Sequence, residues 1–151
     1  MSEYYSFNPI TRKIEGARPA NMFSISKISG GNLIWLPNPE KDSGQGLIST
    51  LVDSARNTKG VVTAQKICRD QDKTELAWSL LTVEEWERLL EFWDSNFEFV
   101  LNYYSPVKHT RISRVFYIGD RSYKFFDILD NGNPTAYTEC SANVVDTGLS
   151  N

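Results

Sequence analysis

Histidine is nearly missing from this chain of 151 residues: His109 is the only one. It falls in a polar loop, with no serine, cysteine or second histidine at a spacing that catalysis uses, so it is assigned no chemistry. There are only two cysteines, Cys68 and Cys140. They lie far apart and match no zinc-ligand spacing. Each sits in an apolar, strand-like run, so a reduced, buried thiol is the default, with a disulfide left open. No apolar run is long enough to span a bilayer, and the opening MSEYYSFNPI is unlike a signal peptide. The chain is therefore expected to be made in the cytoplasm and not to insert into a membrane. Neither sign of charge dominates: the net charge is -3, too near balance to point to nucleic acid. The glycines mark turns and match neither a phosphate loop nor a dinucleotide fingerprint. Asp70 and Asp72 lack the glycine and closing glutamate of a calcium loop. No catalytic set, metal or cofactor is expected, and the chain is read as a non-enzyme.

Aromatic residues, by contrast, are plentiful and concentrated. Three of the four tryptophans lie between Lys73 and Tyr104, a stretch that reads as strand, helix and strand in succession. Thr82 is a good N-cap, and Glu85 three residues on completes a capping box. Glu84, Glu85 and Glu87 place negative charge where the helix dipole favours it. Trp86, Leu89, Leu90, Trp93 and Phe97 share one face by helical spacing, and Glu84, Glu87, Arg88, Glu91 and Asp94 take the other. The spacing predicts an amphipathic helix over about residues 82–97. Upstream, Leu76, Trp78 and Leu80 alternate with Glu75, Ala77 and Ser79, a strand with one buried face. Downstream, Phe97, Phe99, Leu101 and Tyr103 alternate with Glu98, Val100, Asn102 and Tyr104. That second face is less polar than solvent exposure would require, so a second layer or subunit is expected over it. Trp78, Trp86, Leu89, Leu90, Trp93, Phe97 and Phe99 are the expected core.

The rest of the chain reads as short strands and turns in one domain, 1–151. Strands are expected around Tyr4–Phe7, Ile14–Gly16, Met22–Ile28 and Leu33–Leu36. PNPEKDSGQG reads as an exposed loop, and the arm it opens is expected over about residues 37–60. Leu47, Ile48, Leu51 and Val52 in that arm are apolar residues that solvent would waste, so the arm is read as lying on a neighbour. Removing residues 41–56 is then expected to leave a folded monomer that fails to assemble. Residues 61–70 and Lys73–Leu80 read as strands. Ile112–Ile118 and Tyr123–Leu129 read as the arms of a hairpin turning at Gly119-Asp120-Arg121, and Ala136–Val145 as the last strand. The fold class is mainly β within α+β: an antiparallel barrel or sandwich with one main helix.

Several of these segments resemble a family of small tail proteins from tailed bacteriophages and prophages of Gram-positive bacteria. The segments are Arg56-Asn57 with Gly60, Arg69-Asp70, Leu76–Trp78, the acidic capped helix Thr82–Trp93, and Tyr117–Arg121. The similarity covers residues 53–148. The element order also looks like the tail-tube fold of tube, distal tail and baseplate-hub proteins. That fold has two antiparallel sheets packed nearly orthogonally and a flanking helix. The resemblance implies a virion tail or baseplate protein that forms a homo-oligomeric ring, of six copies, against neighbouring tail proteins. Leu47, Ile48, Leu51, Val52, Arg56, Asp120 and Arg121 are the expected assembly residues. Two alternatives stay open. One is a head–tail connector or tail-completion protein. The other is a monomeric ligand-binding β domain using Tyr4, Tyr5, Tyr103 and Tyr104 for glycan or nucleic acid.

Overall fold

The computed structural model describes residues 4–40 and 45–149. They form an antiparallel, mainly β structure with one α-helix. Strands β1 (Tyr5–Asn8) and β2 (Lys13–Gly16) make an N-terminal hairpin. Then come β3 (Ser24–Ser26), β4 (Ile34–Trp35), β5 (Gln45–Ser49), β6 (Val52–Arg56) and β7 (Val62–Lys66). The central unit is β8 (Gln71–Thr82), α1 (Val83–Ser95) and β9 (Glu98–Ser105). Two long strands close the chain, β10 (Thr110–Ile128) and β11 (Pro134–Asp146). The described residues form a seven-stranded antiparallel sheet, in the order β4-β3-β9-β10-β11-β8-β5, beside the separate hairpins β1-β2 and β6-β7.

The helix forms where its signals lie. Thr82 Oγ1 accepts the Glu85 backbone N–H at 3.2 Å, and Glu85 Oε1 accepts the Thr82 N–H at 3.1 Å. Trp86, Leu89, Phe92 and Trp93 are buried, with Leu90 half-buried against the same core. Trp86 meets Trp78 edge-on at 5.9 Å, and Phe92 meets Phe99 at 6.2 Å. Edge-to-face geometry of this kind suits the ring quadrupoles. Burying each such side chain stabilises the fold by roughly 1.5–3 kcal/mol.

Phe97 departs from the expected core. The helix ends at Asn96, whose backbone N–H and side-chain Nδ2 both donate to the Phe92 carbonyl at 2.9 Å. Phe97 therefore follows the chain out of helical geometry; it is 62% exposed and stacks on Tyr117 at 5.5 Å.

Three further expectations are corrected. First, residues 37–40 of the supposed exposed loop are buried. Pro37 O accepts the buried Trp78 indole N–H at 2.8 Å, and Asn38 Oδ1 accepts the N–H groups of Asn21 and Met22. Glu40 pairs with the buried Arg18 at 2.5 Å and accepts Ser79 Oγ–H at 2.8 Å. A segment of turn-forming residues can be interior when its polar groups are satisfied this way. Residues 41–44 lie outside the described residues. Second, residues 45–49 are a sheet strand, so removing residues 41–56 would take β5 from β8. Third, Gly119-Asp120-Arg121 is no hairpin turn, because β10 runs straight through it. Pairing shifts from Ile118↔Val144 to Arg121↔Ala142, which leaves one extra residue on β10. A β-bulge uses the same Gly-Asp chemistry as a turn.

Candidate assembly surfaces

The sheet places the expected assembly residues in three locations. Leu47 and Ile48 lie on β5, the outermost strand on one side, and are 53% and 47% exposed. Leu51, Val52 and Arg56 belong to the hairpin β6-β7, in which Arg56 donates to the Gly60 carbonyl at 2.9 Å. Asp120 and Arg121 are exposed on β10, three strand positions from β5.

The outermost strand on the other side is the two-residue β4, and a longer open edge belongs to β10. Strand β9 covers it only from Thr110 to Tyr117. Beyond Ile118, β10 has a strand partner on one side alone among the described residues, namely β11. This free half carries Tyr123, Phe125, Phe126 and Ile128, with Leu129 just beyond it, all exposed. Sequence reasoning missed this run as a surface because its aromatics follow no single period; bulges switch its faces. The N-terminal hairpin flanks it, with Phe7 edge-on to Phe126 at 5.1 Å. Arg12 also donates two hydrogen bonds of 2.7 Å to Asp127. That ion pair holds the Asp127 carboxyl below its ordinary range, together with the hydroxyl of Thr135.

The outer face of β9 and β10 is mixed rather than apolar. Tyr104 is exposed and Val100 and Val115 are half-buried, while Arg111, Asn102 and Ser113 form a polar ladder. Tyr103 points the other way, into the core against Phe116. It is therefore not available as a surface aromatic.

The arm is the third surface. Every residue of this β6-β7 hairpin and its flanks, from Thr50 to Ile67, is exposed. The two legs meet where Ile67 N–H donates to Leu51 O at 3.0 Å. Below that point polar groups take over. Asp70 accepts the Thr50 hydroxyl at 2.7 Å and pairs with Lys66 at 3.1 Å. The Thr50 hydrogen bond, then that of Lys66, lowers the Asp70 carboxyl.

Arg69 forks onto the buried Asp146 at 2.6 and 2.8 Å. It also donates to the Leu149 carbonyl. Asp146 further accepts the backbone N–H groups of Asp72 at 3.2 Å and Gly148 at 2.9 Å. Gly148 holds φ at +85°, and a Cβ there would lie 2.6 Å from Gln71 Nε2. Arg114 reaches Asp72 at 3.3 Å and Asp146 at 3.4 Å, and the Tyr103 hydroxyl donates to Asp72. Burial pushes the Asp146 carboxyl up, but the Arg69 and amide hydrogen bonds outweigh it and hold it below its ordinary value. Burial, then the bond to Asp72, pushes the Tyr103 phenol well up. Sequence spacing does not reveal this network; Arg69-Asp70 stands out there only as a motif.

Both cysteines are free, Cys68 half-buried and Cys140 buried; burial pushes the Cys140 thiol up to about 12. Among the described residues no group of three or more His, Cys, Asp or Glu is placed to hold a metal. No described helix is long and apolar enough to cross a membrane.

No family model matches the chain, and no curated protein matches it in sequence. Its fold does match a solved chain from the tail of an empty GTA particle, refined helically with C6 symmetry. The two superimpose with a TM-score of 0.58 at 10% identity, over 85% of this chain and 91% of that one.

Proposed function

We propose that the chain is a non-enzymatic structural protein of a phage-type tail or baseplate, closing into a ring of six identical copies against neighbouring tail proteins. The observation that carries this reading is the fold shared with the tail chain of the GTA particle across most of both chains. The sixfold symmetry of that tail supports the copy number.

The open edges of β5 and β10 support it independently. The strand β5 and the free half of β10 belong to one sheet but lie apart in it. A long unpaired edge is a template for pairing, and natural proteins rarely leave one bare. A contact joining one edge of a copy to a different edge of the next is heterologous, and it makes a ring if the rotation closes. The apolar side chains at both edges would be covered by that contact.

The test is Ile48→Lys, which places a charge on the β5 edge. The wild-type chain is expected to run as a ring by mass and to image as one with six subunits. Because Ile48 is exposed, the variant should keep its stability within about 0.5 kcal/mol and remain a monomer. A wild-type chain that stays monomeric at every concentration sinks the ring; a variant that still assembles sinks the β5 edge.

A further inference from the structure

We propose that Arg69 is the positioning residue that aims the β6-β7 arm, by tying the arm's root to the C-terminal end of β11. The inference rests on the assembly reading above, because it assigns the arm a direction in which to meet a neighbour. Among the described residues the arm has no apolar anchor. Its residues are exposed from end to end, so packing does not set its angle to the sheet. Polar contacts at the root must set it instead.

Two root contacts differ in what they join. Asp70 binds Thr50 and Lys66, holding the two legs of the arm to each other. Among the described residues of the root, Arg69 alone reaches across to a different element. It grips Asp146 at 2.6 and 2.8 Å and the carbonyl of Leu149 beyond it. The grip is geometrically specific: a guanidinium fork on a carboxylate fixes direction as well as distance. Asp146 itself cannot move, since its side chain is fully buried and held by two backbone N–H groups. Arg69 thus transmits the fixed position of the sheet to the last residues of the arm's return leg.

Pulsed distance measurement between spin labels tests this. Labels go on Lys59→Cys at the arm tip and Glu91→Cys on the helix, in a chain carrying Cys68→Ser. With Arg69 present, one narrow distance distribution is expected. Arg69→Gln should broaden it several-fold, and Arg69→Lys, which can reach one oxygen only, should fall between. Assembled particles should decline in the same order, at least ten-fold for Arg69→Gln. Asp146→Asn removes the same grip from the other side and should reproduce the broadening, which covers the case of Arg69→Gln failing to fold. A narrow distribution in both variants overturns the proposal, as does a broadened arm with undiminished assembly. Should the unsubstituted chain form no particles, the tail reading fails instead, while the distance distributions still decide whether Arg69 aims the arm.

Discussion

Two tryptophans of the core differ in one atom's surroundings. Trp78 donates its indole N–H to Pro37 O at 2.8 Å, whereas Trp86 Nε1 is buried with no hydrogen-bond partner among the described residues. Both side chains are buried. Replacing either by phenylalanine removes comparable apolar volume. Only Trp78→Phe strips a buried carbonyl of its donor, which costs about 1–3 kcal/mol. Trp86→Phe removes a polar atom that was already unsatisfied. Denaturant unfolding of the two variants should therefore show Trp78→Phe the more destabilised by about 1 kcal/mol or more; equal losses would contradict the assignment.

Asp146 carries the acid sensitivity of the arm root. Its folded carboxyl lies below the ordinary value, so the unfolded chain binds the proton more readily. The resulting stabilisation is present above the unfolded carboxyl value, about pH 4, and is lost as pH falls through the folded one. Asp146→Asn lacks that contribution at every pH. The wild type should exceed the variant by about 2 kcal/mol at neutral pH, with the gap closing below about pH 4. A gap that persists in acid would assign the effect to packing.

At the scale of elements, the chain separates what holds the fold from what projects out of it. The β8-α1-β9 unit is joined to β11 and β10 by continuous pairing and by the aromatic layer beneath the helix. The arm shares neither, and its legs close on each other at Leu51 and Ile67. Replacing residues 52–66 by a two-glycine turn should leave the melting temperature nearly unchanged. The shortened chain should remain folded and fail to assemble. A loss of cooperative melting would mean the arm supports the sheet after all. The helix and the N-cap box were legible because capping and amphipathic spacing act within a few residues. The β10 bulge was not, because Gly-Asp serves turns and bulges alike until a partner strand is known.

For the molecule as a whole, the unpaired edges matter more than any single residue. The seven-stranded sheet ends on β5 and leaves half of β10 open, with the aromatic run Tyr123–Leu129 along it. Such a surface would be a hazard in a chain that stayed alone. The β class, the helix and its apolar face followed from local periodicity and composition alone. Tertiary structure decided the rest: Phe97 outside the core, Pro37 to Glu40 inside it, the strand through residues 119–121, and the pairing of Arg69 with Asp146. Those depend on groups that meet across 77 positions or on which strand lies alongside. Short-range spacing carries propensity and burial pattern, but not the identity of a distant partner.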